Sequence, residues 1–174
     1  MKFVKSYSLL NKALPMIRKA QPTDLFALQT LFAQYRIFYN KKSAPKEEKL
    51  FLKERLENMD SEIFVHEDST VKLTGFVQLY PLFSSSRMKR YWLLNDLFVA
   101  KDSRGKGISV KLIDRAKQLV KDTNACGMYL ETEKSNLIGN QLYPKTSFKA
   151  LDKINFYEWE NDALKNKCQT KIFR

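Results

Sequence analysis

The sequence predicts a single mixed α/β (α+β) domain, a sheet of mixed strand direction with helices packed on it. Three observations predict it. Apolar residues recur at helical spacing in four separate stretches, β-branched and aromatic runs lie between those stretches, and no linker divides the series. The 174 residues, 44% hydrophobic and 13% aromatic, suffice for one sizeable core. Five Gly and five Pro are too few and too scattered to mark a domain boundary.

Residues 16–20 form a short mixed run ended by Gln21-Pro22, a first strand. Thr23-Asp24 then offers a helix cap and an early acid. Leu25, Leu28, Leu31, Phe32, Tyr35, Phe38 and Tyr39 lay one apolar face along a helix of about four turns. A second helix begins near Pro45, with Glu47 and Glu48 in its first turn and a charged outer face. From Glu62 the pattern changes: Ile63-Phe64-Val65, a turn around Glu67-Asp68-Ser69, and the run 71–82 read as a hairpin. Residues 91–99 make a third, nearly continuous apolar strand. Ile108, Leu112, Ile113, Ala116, Leu119 and Val120 return to helical spacing. A short strand at 128–130, a helix at 136–143 and a last strand at 156–159 complete the reading.

Two cysteines and the one histidine, His66, cannot supply a dedicated zinc site or a disulfide framework, so no metal is expected. Cys126 reads as a small buried residue, Cys168 as an exposed tail thiol, and His66, beside a turn, as solvated. No apolar stretch approaches the ~18 residues of a membrane span, and two thiols fit a reducing compartment, which points to the cytoplasm and to no membrane partner. Residues 1–23 carry five bases and no acid, a composition shared with transit peptides, but Lys5, Asn11 and Lys12 interrupt any run long enough for a secretory signal.

The formal net charge of +12 is concentrated in two segments: the +5 of residues 1–23, and residues 87–121, where ten bases face three acids. Nucleic acid, an anionic membrane and a phosphorylated small molecule are all drawn to such charge. The local sequence chooses among them. Strand 91–99 runs through Ala100-Lys101-Asp102-Ser103 into Arg104-Gly105-Lys106-Gly107-Ile108-Ser109 and a helix. Glycines let backbone N–H groups approach an oxygen-rich anion and the helix start adds its positive dipole end, so this is a phosphate cradle in physical terms, with Arg104 and Lys106 supplying charge. A dinucleotide loop would put a third glycine where Val110 stands, and a Walker loop would follow Gly105-Lys106 with Ser or Thr rather than Gly107.

Downstream, Asn136 and Tyr143 lie seven residues apart, two helical turns, and face one side. With the loop motif Arg104-Gly105-Lys106-Gly107-Ile108-Ser109 and the segment 136–148, Asn136-Leu137-Ile138-Gly139-Asn140-Gln141-Leu142-Tyr143 through Phe148, the sequence resembles the GNAT superfamily of acetyl-CoA-dependent N-acetyltransferases over residues 16–160. Within it the diamine and thialysine acetyltransferase branch is most similar. Ser109 and Ser147 stand where the family has glycine or alanine, Gly139 replaces an alanine, and Asn95-Asp96 replaces a Glu-Asp pair. Pro144 is expected to bend or stop the helix at Tyr143, and Ser147 to need a left-handed conformation.

The resemblance implies a central, twisted, mostly antiparallel sheet of six to seven strands with about four helices, and a domain at 16–160 between an extension at 1–15 and a basic tail at 161–174. It implies acetyl-CoA as cosubstrate, held by Leu97, Phe98, Val99, Arg104, Gly105, Lys106, Gly107, Ile108, Ser109, Asn136 and Tyr143. Tyr143 would be the proton donor to sulfur, and a backbone N–H near Phe98 or Val99 the oxyanion donor. Asp96 is the candidate base, directly or through a water, with Glu131 or Glu133 as alternatives. Phe38, Tyr39, Tyr80, Phe83 and Trp92 are candidate walls for an amine acceptor, small or protein-borne. A homodimer is implied and nucleic acid is not an expected partner. The competing readings are a fold relative that binds coenzyme A without turnover and a basic nucleic-acid-binding module.

Overall fold

A computed structural model describes residues 14–159 and Asn161. The expected extension at 1–15 and tail at 161–174 therefore lie outside the described residues except for 14, 15 and Asn161.

The elements follow the expected order. Strand β1 (Met16–Lys19) leads through one 3-10 turn to helix α1 (Leu25–Phe38) and helix α2 (Pro45–Asn58). Strands β2 (Glu62–Glu67), β3 (Leu73–Ser84) and β4 (Lys89–Val99) follow, then helix α3 (Ile108–Asp122), strand β5 (Met128–Tyr129) and helix α4 (Leu137–Lys145). The sheet order is β1-β2-β3-β4-β5; the first four strands are antiparallel neighbours and β5 runs parallel to β4. This is the mixed, mostly antiparallel sheet with four helices that the sequence implies, with five strands among the described residues rather than six or seven.

The missing strand is 156–159, which has no ladder partner and exposes Phe156, Tyr157 and Trp159 by 72–84%. Only two residues of β5 enter the ladder, a short template on which to fix a further strand.

The sheet's two faces carry separate cores. Leu28, Leu31 and Phe32 of α1 and Leu52 of α2 pack on Ile63, Val65, Phe76 and Phe98; Leu112, Ile113 and Ala116 of α3 pack on Phe64, Val77, Leu79, Trp92 and Leu94. The alternation Ile63-Phe64-Val65 in β2 is the period-two signature of a strand covered on both faces. Glu48, on the side of α2 read as charged surface, is only 2% exposed. Its Oε1 accepts from the Ala44 N–H at the helix start and from Arg36 of α1, both at 2.9 Å, so the acid pins the α1–α2 corner.

His66 is also buried rather than solvated. Strand β2 keeps it in the ladder opposite Gly75, with the turn beginning only at Asp68, and its Nδ1 lies 2.6 Å from Thr74 Oγ1. Burial and the nearby Lys111 lower its pKa.

Helix α4 does not stop at Tyr143. Pro144 sits in its last turn, where its missing N–H deprives only the Asn140 carbonyl, on an exposed residue that water can reach. The helix ends in a Schellman motif: Ser147 takes φ +65°, Phe148 N–H donates to Tyr143 O at 3.0 Å, and Ser147 N–H donates to Pro144 O at 3.0 Å. The accompanying apolar contact is the Tyr143–Phe148 ring pair, 5.9 Å apart. Lys117 of α3 donates to Thr146 O at this end, a cation where the helix dipole is negative.

The left-handed Ser147 makes a prediction. Ser147→Gly should raise the unfolding free energy by about 0.5–1 kcal/mol, the strain relieved less glycine's entropy in the unfolded chain. The measurement is the denaturant midpoint at unchanged slope; an unchanged or lower midpoint contradicts the strain.

Candidate active site

One extra residue in β4 sets the site. The β3–β4 ladder pairs Gly75 with Val99 through to Gln78 with Asp96, then resumes at Leu79 with Leu94, so Asn95 has no opposite number. The bulge inverts the side-chain phase. Trp92 and Leu94 pack toward α3, and beyond the bulge it is Leu97 and Val99 that do so, while Phe98 joins the core under α1. Asp96 thereby faces α1 and is only 4% exposed.

The same bulge decides which amides face outward. Trp92 N–H donates to Gly127 O across to β5 at 3.1 Å, but β5 pairs only with Trp92 and Leu93, and the two strands then part. On the far side of the bulge Arg104 Nε donates to Val99 O at 3.0 Å, while Ala100 N–H donates to Thr74 O at 2.9 Å on the β3 side. A strand residue's N–H and C=O point to the same edge. Val99, and with it Leu97 two residues back, thus turns its amide to the cleft, and Phe98 turns away.

Into this cleft opens a cavity of about 210 Å³. Leu97, Phe98 and Val99 of β4 form one wall, Arg104, Gly105, Gly107, Ile108 and Ser109 a second, Asn136, Gly139 and Tyr143 of α4 a third, and Phe38 and Tyr39 close it from the end of α1. Every residue expected to hold the cosubstrate lines it except Lys106, whose Nζ lies 3.4 Å from Asp102 O. Gly105 and Gly107 have φ +77° and +72°, and a Cβ at either would meet nothing within 4 Å. Gly107 is also the N-cap of α3, which no side chain caps. Left-handed glycines, open space and uncapped helix amides are what a diphosphate needs.

Helix α4 presents its two motif residues to one cavity, as their spacing predicts. Asn136 is also the N-cap: its Oδ1 accepts from Gly139 N–H at 3.0 Å and its Nδ2 donates to Thr132 Oγ1 at 2.9 Å. A Cβ on Gly139 would lie 2.6 Å from Asn136 Nδ2 and 3.2 Å from the Tyr143 ring, so glycine lets the cap and the tyrosine stand side by side. Burial, reinforced by Tyr39, pushes the Tyr143 hydroxyl up to about 12, and it remains a proton donor throughout the neutral range.

Asp96 Oδ2 accepts from Asn95 Nδ2 at 3.1 Å, and Tyr35 of α1 packs on the same side of β4, its ring 6.3 Å from that of Phe98. Among the described residues no lysine or arginine pairs with Asp96. Burial raises its pKa above the usual carboxylate range, and the neighbouring Tyr35 and Asn95 side chains oppose that rise. Asn95 therefore serves its neighbour as a donor. What places Asp96 on the α1 face is the bulge, which no residue pattern announces.

The other candidates fall apart. Tyr80 is half-buried on the Asp96 side, its oxygen 3.1 Å from Gln78 Nε2. Trp92 is buried on the α3 face, donating to Thr123 Oγ1 at 2.9 Å, and Phe83 is 75% exposed beneath Arg90. Glu131 and Glu133 are exposed on the loop after β5; Glu133 acts on the Tyr39 hydroxyl, whose pKa is raised by burial first and then by Asp96 and Glu133. Cys126 is half-buried, 4.0 Å from an Arg87 nitrogen. Among the described residues no three His, Cys, Asp or Glu side chains converge on a metal position, and no helix is long and apolar enough to cross a membrane.

Residues 26–148 match the acetyltransferase (GNAT) family. The uncharacterized N-acetyltransferase YhfO of Bacillus subtilis is 41% identical over 132 residues, 76% of this chain and 88% of that protein. A protein of Haemophilus influenzae described as a probable acetyltransferase is 35% identical over 107 residues, 62% of this chain and 73% of its own length. A crystal structure of a probable acetyltransferase superposes with a TM-score of 0.80 at 34% identity, covering 84% of this chain and 97% of that one. The chain belongs to the GNAT family of acetyltransferases, enzymes that use acetyl-CoA as cosubstrate.

A buried carboxylate without a cation costs stability where it is ionised. With its folded pKa raised, Asp96 destabilises the fold as pH climbs from the ordinary carboxylate range to the folded value, and that loss persists at neutral pH. Asp96→Asn should therefore raise the unfolding free energy at pH 7 by on the order of 1 kcal/mol, and the gain should vanish below about pH 4. Equilibrium unfolding at the two pH values checks this; a loss at pH 7 contradicts it.

Proposed function

We propose that the protein transfers acetyl from acetyl-CoA to a primary amine by direct transfer in a ternary complex. The observation that carries the reading is the single cavity that holds the glycine loop, the cleft-edge amides of Leu97 and Val99, and Tyr143. The bound thioester supplies an activated acyl carbon and a sulfur leaving group. The amides of Gly105, Gly107, Ile108 and Ser109, with the Arg104 guanidinium, hold its diphosphate. The N–H of Val99 or Leu97 orients and polarises its carbonyl. The Tyr143 hydroxyl gives its proton to the departing sulfur.

The amine arrives protonated. An alkylamine of pKa near 10.4 is neutral in only about one part in 2,500 at pH 7, roughly 4.6 kcal/mol uphill, so a base is required. Asp96 accepts that proton at its carboxylate, directly or through a water; its burial and raised pKa suit it to the task. The acceptor side is the α1 face, where Tyr35, Tyr39 and Tyr80 stand within electrostatic reach of Asp96. A small polyamine-like or amino-acid-like amine is the acceptor that the similarity to the diamine and thialysine branch supports, with a protein amine as the second choice. The same similarity supports a homodimer, and the absence of a long apolar run supports the cytoplasm.

Release of free thiol from acetyl-CoA over a panel of diamines, amino acids and peptides tests the reading. Amine-dependent turnover is expected. Thermal stabilisation by coenzyme A with no turnover would reduce the protein to a binder, and salt-sensitive RNA or DNA binding indifferent to coenzyme A would overturn the reading. Tyr143→Phe should lower kcat at least 10-fold with coenzyme A affinity changed less than about twofold. Unchanged kcat would remove its acid role.

A further inference from the structure

An edge strand offers its outer N–H and C=O groups to any chain that can pair with them, and proteins blunt such edges with charge, proline or a covering element. Strand β5 pairs with β4 alone and ends the sheet among the described residues. Its segment Cys126-Gly127-Met128-Tyr129-Leu130 carries no charge and no proline. Beside it lies an aromatic and basic rim: the Tyr129 ring stacks on Tyr91 at 5.8 Å, and the Arg87 guanidinium lies over Tyr91 at 5.6 Å. Arg87, Lys89 and Arg90 make no ion pair among the described residues. The same chain holds a strand without a sheet. Ile154-Asn155-Phe156-Tyr157-Glu158-Trp159 contains no glycine or proline, and its four apolar side chains are 66–84% exposed. Asn155 Nδ2 donates to Tyr157 Oη at 3.3 Å, side chains two residues apart sharing one side as they do in extended backbone.

We propose that residues 154–159 of a second copy of this chain add as a strand to the outer edge of β5, and that the exchange is reciprocal, joining two copies through both edges. The inference rests on the homodimer of the reading above and names its surface; it does not depend on the transfer reaction. Added to the edge, the segment divides by alternation: Tyr157 and Trp159 fall on one face, Ile154, Phe156 and Glu158 on the other. Glu158, the segment's one charge, joins the Tyr129 face and meets Arg87, while Tyr157 and Trp159 extend the apolar surface that Met128 and Leu130 form beside α3. One chain leaves its own edge bare because two ladder residues are a short template for a single added strand. A two-fold exchange doubles the contacts. Six aromatic side chains, at about 150–250 Å² each, bring roughly 1,000 Å² into the contact, the size of a stable interface. Trp, Tyr and Arg are also the residues that carry binding energy at such surfaces.

Sedimentation equilibrium of the full chain, with and without Tyr157→Pro, tests the proposal. The parent should be a dimer at micromolar concentration. Proline takes an N–H from the added strand, so Tyr157→Pro should raise the dimer dissociation constant by about 10-fold or more while thermal unfolding stays cooperative. Charge reversal supplies the second test and serves if Tyr157→Pro fails to fold. Arg87→Glu and Glu158→Arg should each weaken the dimer, and the two together should return it to within about threefold of the parent. A dimer indifferent to Tyr157→Pro and to both reversals overturns this surface and leaves the homodimer standing. A monomeric parent overturns the surface and the homodimer together; slow hydrogen exchange at 154–159 in that monomer would put the segment on its own β5.

Discussion

The bulge at Asn95 is the constraint on which the site depends. Without the extra residue, Asp96 would continue the phase of Trp92 and Leu94 and lie under α3 among apolar side chains, far from Tyr35. The phase of the backbone would change with it, and the amides of Leu97 and Val99 would be spent on β3 instead of facing the cleft. One residue thus delivers a carboxylate to one side of β4 and frees main-chain donors along its edge, at the point where β5 leaves the ladder. The Asp96 carboxylate and the free amides of Leu97 and Val99 are coupled by covalent geometry.

The glycine-loop end of the cleft is made almost wholly of backbone. Gly105 and Gly107 take left-handed conformations over open space, and α3 starts without a side-chain cap, leaving its first amides to a ligand. Formal charge is secondary: Arg104 is anchored to Val99 O and lies over Phe98, and Lys106 turns to Asp102. Of the ten bases of 87–121 only Arg104 lines the cavity. The α1 side is built oppositely, from the buried Asp96 and the half-buried Tyr35, Tyr39 and Tyr80, all with perturbed acidities. The two halves meet at Tyr143, whose ring the Schellman end of α4 holds against Phe148.

The fold was legible because its signals are local. Apolar spacing in α1 and α3, Pro45 with its early acids, and the Ile63-Phe64-Val65 run each report on a few neighbouring residues. The cavity walls were legible for the same reason: Gly105, Gly107, Asn136 and Tyr143 lie at fixed spacings along the chain. What escaped depends on contacts distant in sequence. Asp96 lies on the α1 face of β4, with Phe98, only because a bulge turns it there. Glu48 is buried because Arg36 and the Ala44 amide compensate it. His66 belongs to β2 because the turn comes later than its polar residues suggest. Pro144 is tolerated because it falls in a last turn whose orphaned carbonyl is exposed. The strand expected at 156–159 fails for a related reason, since its pattern says nothing about whether an edge awaits it.

The proposed activity requires main-chain amides at the start of α3 to grip the diphosphate of a coenzyme A thioester. Calorimetric titration of coenzyme A into the protein and into Gly107→Val tests this most directly. Saturable binding by the parent chain, lost or weakened at least 10-fold in a folded Gly107→Val, is the result the geometry predicts. No saturation of the folded parent at millimolar coenzyme A, or equal affinity in the two proteins, would contradict it.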